Sequence, residues 1–344
     1  MRYRTLGRTG IQVSPYALGT MNFGALANAD HDETVRIIHK ALDAGINLID
    51  TADNYSHGES ERIVGKALKG RRDDVVLATK FSNPMGDGPN RRGGSRRYLM
   101  TAVEDSLRRL ETDYIDLYQY HYPDDETDLE ETLSALTDLV RAGKVRAIGT
   151  SKQPASGLVE AHWISERQGL ARFRSEQPYY SILNRGIERE LLPVTQRLGM
   201  GTLVWSPLAQ GLLTGRVRKG QASTLSRSGP WFAHLEDARR IDAVERLVPV
   251  AEEAGVSLTH MAVAFVLAHP GVTAALLGPR TEEQFDDLLA GVGVELSDDV
   301  LDRIDEVVPP GEDVGAIQMG YRPSALLRAG LRRRGAGERA AAEG

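Results

Sequence analysis

The sequence predicts an α/β chain whose eight short buried strands alternate with amphipathic helices and close into a (β/α)₈ barrel. This TIM-barrel architecture is expected with an N-terminal β-hairpin and extra C-terminal helices. Three observations carry the expectation. Short apolar runs alternate with stretches in which apolar residues recur every three or four positions. Every crossover is of helical length, which calls for parallel pairing. The count of such units is eight, the number that closes, in a fold that normally needs roughly 250 residues. An open doubly wound sheet is the rival, but no G-x-G-x-x-G follows any strand.

The elements follow in order. Residues 2–6 and 11–14 flank the turn Gly7-Arg8-Thr9-Gly10 and read as a hairpin. The first buried strand, 15–19, runs into Thr20, Met21 and Asn22; helix 32–44 sets Ile37, Ile38, Ala41 and Leu42 on one side, capped by Asp30 or Asp32. Strand 46–50 ends in Asp50, Tyr55 follows on a polar loop, and helix 60–68 lies behind. Strand 75–80 ends in Lys80; a Gly- and Arg-rich loop, 84–97, leads to helix 98–110. Strand 114–121 ends in His121 and is followed by helix 129–141, which Gly143 stops. Strands 145–151, 173–177 and 202–206 alternate with helices 154–168 and 188–198. Residues 207–240 break the rhythm as a long Gly-, Ser- and Arg-rich insertion, the kind of loop that is usually functional or mobile. Helices 238–254 and 257–269, strand 273–277, and helices 281–290 and 297–308 complete the pattern.

Residues 1–324 read as one domain and 325–344 as a mobile tail carrying Arg328, Arg332, Arg333, Arg334 and Arg339. With 42 Lys plus Arg against 48 Asp plus Glu, the net charge of -6 argues against nucleic acid or an anionic membrane as partner. No cysteine is present, which excludes disulfides, thiolate metal sites and cysteine nucleophiles and suits a reducing compartment. The N-terminus has no apolar signal core and no run of 18 apolar residues occurs, so a cytoplasmic protein is expected. The oligomeric state is left open.

Chemistry in such a barrel sits at the C-terminal ends of the strands. Reading only those ends gives Asp50 with Tyr55 beyond it, then Lys80, His121, Ser151, Gln177, Trp205 and Ser206. Neighbouring strands lie about 4.8 Å apart, so the first four groups are expected over one mouth. One such residue alone is more often an ion-paired or structural group; four in succession form an acid–base unit. Lys80 is expected to bring the Tyr55 proton closer to transfer, Asp50 to keep Lys80 charged, and His121 to hydrogen-bond a substrate oxygen. No H-E-x-x-H motif and no strand-end Asp/Glu pair supports a metal or carboxylate hydrolase, and no metal site is expected.

At this point the chain resembles the aldo-keto reductases, through IDTADNYSHGESE at 49–61, ATK at 78–80, DLYQYHYPD at 116–124, IGTS at 148–151, EQPYYSILNR at 176–185, WSPLAQGLLTG at 205–215 and GPRTEEQ at 278–284. The resemblance implies a barrel reductase of aldehydes or ketones that uses NADPH, or sometimes NADH, with Asp50, Tyr55, Lys80 and His121 as its tetrad. It also implies that Gly19, Thr20 and Met21 border the cofactor, that Ser151 and Gln177 hold the nicotinamide carboxamide, and that Trp205 stacks on the ring. Ser206, Leu208, Gln210, Gly211 and Leu213 would follow the pyrophosphate, with Thr214 and Gly215 continuing that loop. Gly278, Arg280, Gln284 and Asp287 would meet the adenosine end, where a planar guanidinium suits a 2′-phosphate. Two residues depart from the family's pattern: Lys152 and Leu288 each stand where asparagine is usual, so altered cofactor affinity is expected. The family also includes auxiliary subunits of potassium channels, which leaves a nucleotide-binding subunit with little turnover as the alternative. Specificity is expected from loops 22–28, 83–97 and 216–236, with Tyr122, Trp231 and Phe232 as candidate pocket residues.

Overall fold

A computed structural model of the chain describes residues 1–220, 230–315, 321–335 and 337–338. The centre of the insertion, the Trp231 side chain and Arg339 lie outside the described residues. Strands β1 (Arg4–Thr5) and β2 (Gln12–Val13) pair antiparallel as the expected hairpin. The barrel comprises β3 (Tyr16–Gly19), β4 (Leu48–Asp50), β5 (Val76–Phe81), β6 (Ile115–Tyr120), β7 (Val145–Ser151), β8 (Phe173–Gln177), β9 (Gly201–Val204) and β10 (Ala274–Leu277). Each pairs in parallel with the next and β10 returns to β3, so the sheet is closed.

These strands read as nearly unbroken apolar runs because both of their faces are covered. Ala17, Leu48, Val76, Leu117, Leu203 and Ala274 fill the interior together with Leu6 and Val13, so the hairpin plugs the N-terminal end. The opposite end is thereby left as the open one. Outward-facing Leu18, Ile49, Leu77, Ile148 and Leu277 pack under the helices.

Helices α1 (His31–Asp43), α2 (Glu59–Ala67), α3 (Arg96–Leu110), α4 (Leu129–Arg141), α5 (Ala155–Gln168) and α6 (Leu191–Leu198) surround the first part of the barrel. Asp30, not Asp32, caps α1, its carboxylate accepting from the Asp32 and Glu33 amides. Helix α3 begins two residues before the expected start, because the Ser95 hydroxyl accepts from the Tyr98 amide and sets its first turn. At Gly65 a Cβ would stand 2.7 Å from the Leu110 carbonyl, so only glycine lets α2 lie this close to α3.

Helices α7 (Ala238–Glu253), α8 (Leu258–Ala268), α9 (Glu282–Ala290) and α10 (Asp298–Val307) complete the ring, and no single described helix is long and apolar enough to cross a membrane. Part of the insertion is ordered as a 3₁₀ turn, Ala209–Thr214, ahead of a second, Pro230–Glu236. The C-terminal stretch departs from a wholly frayed tail: α11 (Ser324–Leu327) and a turn at Ala329–Leu331 form there. The Tyr321 and Ser324 hydroxyls donate to Asp125 at 2.6 and 2.5 Å, tying the start of this stretch to the loop after β6.

Candidate active site

Asp50 closes β4, and register pairs it with Ala78 on β5, two residues before Lys80; Lys80 in turn pairs with Gln119 on β6. This places a carboxylate and an ammonium side by side at the open end. Tyr55 rises above them on a 3₁₀ turn, Tyr55–Gly58, in which Ser56 and His57 have φ of 45° and 54°. Left-handed backbone in such residues costs on the order of 1–3 kcal/mol and persists only where neighbours hold it. The Ser56 hydroxyl does so by donating to the Phe23 carbonyl at 3.0 Å.

Lys80 is fully buried, and its ammonium donates to Asp50 Oδ1 at 2.5 Å, to the Thr51 carbonyl at 2.7 Å and to the Tyr55 hydroxyl at 3.2 Å. All three donors are used. The other Asp50 oxygen accepts from Gln119 Nε2 at 2.9 Å and Gln177 Nε2 at 2.8 Å. Burial pulls the Lys80 pKa down, but Asp50 and then Tyr55 outweigh it, so the group is raised and stays charged. At Tyr55 the lysine acts in the expected direction, against a larger opposing effect. Burial raises its phenol, Lys80 opposes, Asp50 adds to the rise, and the net direction is upward. The lysine field is present, yet desolvation of the phenolate is the larger effect, so Tyr55 holds its proton at neutral pH.

His121 follows β6, its ring 5.8 Å from that of Tyr55 and edge-on at 83°. Burial, then Lys152, then Lys80 push its pKa well below the usual value, so the imidazole is neutral. Asn83 Nδ2 stands 2.9 Å from His121 Nδ1. With the amide nitrogen donating, Nδ1 accepts and the ring proton sits on Nε2. Asn83 opens the loop 83–97 expected to set specificity, but its contact with His121 was not expected; the signal is a polar residue three positions beyond Lys80.

Tyr55 and His121 open into a cavity of about 700 Å³. Gly19, Met21, Asp50, Ser151, Gln177 and Trp205 line it, as do Ser206, Leu208, Gln210 and Gly211 from the loop after β9. Gly278, Arg280, Gln284 and Asp287 contribute from the loop after β10 and from α9. Two expected cofactor residues do not line it. Thr20 is buried, its hydroxyl donating to the Asp50 carbonyl and accepting from Ser60, and Leu213 packs in the core. Tyr122 lines the cavity; Phe232 packs against the core instead. Asn22 and Arg216 line it from two of the loops expected to set specificity, and Asn54 lines it without having been expected there.

The wall fits an extended dinucleotide. Trp205 offers an aromatic ring braced edge-on by Tyr179 at 4.7 Å. Ala209, Gln210 and Gly211 carry φ of 47°, 60° and 110°, and the Ser206 hydroxyl accepts from the Gln210 amide. Backbone of this kind turns N–H groups toward anions, and the guanidinium side chains of Arg216 and Arg280 belong to the same cavity. Ser151 and Gln177 are partly committed to the barrel: the Ser151 hydroxyl donates to the Gln177 carbonyl at 2.8 Å, and the Gln177 amide nitrogen is held by Asp50 and Gln119.

The model of the aldo/keto reductase family matches residues 16–309. An uncharacterized oxidoreductase of Bacillus subtilis (strain 168) is 41% identical, over 90% of this chain and 97% of its own. A probable voltage-gated potassium channel subunit beta of Oryza sativa subsp. japonica is 35% identical, over 90% and 97%. An aldo-keto reductase, also of Bacillus subtilis (strain 168), is 36% identical over 84% and 88%.

Proposed function

The chain belongs to the aldo/keto reductase family, and from that premise we propose that it reduces an aldehyde or ketone to the alcohol, with NADPH as hydride donor and Tyr55 as general acid. The observation that carries this is one buried ammonium shared between Asp50 and the Tyr55 hydroxyl beneath a cavity that His121 also faces. The reduced nicotinamide, when bound, supplies the hydride to the carbonyl carbon. His121 donates its Nε2 proton as a hydrogen bond to the carbonyl oxygen and orients it. As charge develops there, Tyr55 transfers its proton to the same oxygen, leaving a phenolate facing Lys80. A phenol with a raised pKa still serves, because an alkoxide is about as basic as hydroxide, whose parent acid has a pKa of about 15.7. Asp50, fixed by Gln119 and Gln177, keeps Lys80 protonated throughout.

The cofactor would lie along Gly19 and Met21, with its carboxamide at Ser151 and Gln177, its ring on Trp205, and its phosphates along Ser206, Leu208, Gln210 and Gly211. Gly278, Arg280, Gln284 and Asp287 would meet the adenosine end. Arg280, joined by Arg216, favours NADPH over NADH, since a guanidinium matches a 2′-phosphate. Residues 1–324 act as one barrel domain, with 325–344 as a tail, and the absence of cysteine fits a cytoplasmic setting.

A second reading, a nucleotide-binding subunit with little turnover, is favoured by relatives named as potassium channel β subunits. A panel of aldehydes and ketones, followed by absorbance of the reduced nucleotide with NADPH and NADH in turn, separates the two. Carbonyl-dependent oxidation of NADPH is the expected result. Tight nucleotide binding with no turnover on any carbonyl would overturn it in favour of the second reading.

A further inference from the structure

Lys152 follows β7 and is held with φ of 59°. Its ammonium stands 5.2 Å from the centre of the Tyr122 ring and 5.7 Å from that of Trp205, on the wall of the cavity that Tyr55 and His121 share. Among the described residues it makes no hydrogen bond or ion pair. Aromatic faces are weak partners beside a carboxylate, so this charge is partly desolvated and under-paired.

The charges around it do not cancel. Lys80 and Asp50 neutralise each other, and His121 and Tyr55 are uncharged. Glu176 is buried with Oε2 unpartnered, and burial, against the opposing amides of Gln153, Lys152 and Gln177 and the Lys152 charge, pushes its carboxyl up to about 8. It is protonated at neutral pH. Lys152, pulled down to about 8 by burial and Lys80 against Glu176, remains mostly charged there. Among the described residues, the reacting end of the cavity therefore carries one uncompensated positive charge. A single ammonium matches one negative charge.

We propose that Lys152 selects carbonyl substrates bearing a carboxylate, the ammonium between Tyr122 and Trp205 gripping the anionic group while His121 and Tyr55 hold the carbonyl oxygen. This rests on the reductase reading above. The flanking rings favour an acid whose body is flat and apolar.

The test compares 4-formylbenzoate with methyl 4-formylbenzoate, which share the reacting aldehyde and differ in charge, on the full chain saturated with NADPH. The wild type is expected to favour the acid in kcat/KM by about tenfold or more, the worth of a charge-assisted hydrogen bond. Lys152→Gln should bring that ratio to near one, chiefly through KM, and Lys152→Arg should restore much of it. A ratio unchanged in Lys152→Gln overturns the proposal. So does an equal loss on both substrates matched by weaker NADPH binding in fluorescence titration, which would assign Lys152 to the cofactor. If the wild type turns over neither aldehyde, the reductase reading rests with the carbonyl panel above, and calorimetric binding of 4-(hydroxymethyl)benzoate decides this proposal separately. Binding lost in Lys152→Gln upholds it; equal binding to both proteins overturns it.

Discussion

Two lysines face the same barrel mouth, and their surroundings could hardly differ more. Lys80 is sealed from solvent with Asp50 2.5 Å away, and both groups keep their charges. Lys152 is partly exposed, with two rings for neighbours, while Glu176, the carboxyl whose charge would reach it, is buried and holds its proton. A buried carboxylate stays charged only when its counter-ion touches it and its other oxygen is also satisfied. Asp50 meets both conditions through Lys80 and the two glutamines; Glu176 keeps an oxygen with no partner. One couple is built to be permanent, and the other leaves a charge facing the cavity.

Breaking the permanent couple should have the largest effect. Lys80→Met leaves Asp50 buried and unpaired, and is expected to cost about 3–5 kcal/mol in denaturant unfolding. It should also lower carbonyl-dependent turnover by roughly 10²–10⁴-fold, since the phenolate loses its counter-charge.

The other couple gives a dependence on pH. The Glu176 carboxyl is raised in the folded chain, from an ordinary value of 4.5 to about 8. The fold is therefore at its best, as far as this group is concerned, below about pH 4.5, and loses stability as pH climbs through about 8. Glu176→Gln removes the dependence. Relative to wild type, its stability should be level near pH 4.5 and higher by on the order of 5 kcal/mol near pH 9, read by denaturant titration at each pH. A difference that does not grow with pH would show that Glu176 is ionised in the fold.

Smaller changes sharpen the contrast. Asn83→Leu frees the His121 tautomer and should lower kcat/KM by about tenfold, the scale of one lost hydrogen bond, with NADPH binding unchanged in fluorescence titration. Arg280→Met should weaken NADPH binding by about tenfold and leave NADH nearly unaffected, which a paired titration with both nucleotides would read.

The closed barrel was legible in the sequence because strands covered on both faces must be apolar throughout and crossovers must be helical. Asp50, Lys80 and His121 were legible for a related reason: a charged or polar residue ending such a run can only stand at the mouth. What depended on backbone outside the strands was not. Lys152 points between two rings because its φ is positive, and no residue pattern announces that. Thr20 turns inward and Leu213 enters the core because the loops after β3 and β9 curl within a few residues. The direction of the Tyr55 shift needed the depth of its burial, which composition does not give.

The role of Tyr55 is tested most directly by Tyr55→Phe, which removes one oxygen and leaves the ring against His121. NADPH oxidation on an aldehyde accepted by the wild type and NADPH dissociation from the free protein should be measured on both. Turnover is expected to fall by roughly 10²–10⁴-fold with nucleotide affinity preserved. Turnover kept near the wild-type rate would contradict Tyr55 as the proton donor and, with it, the reading of Lys80 and Asp50 as its support.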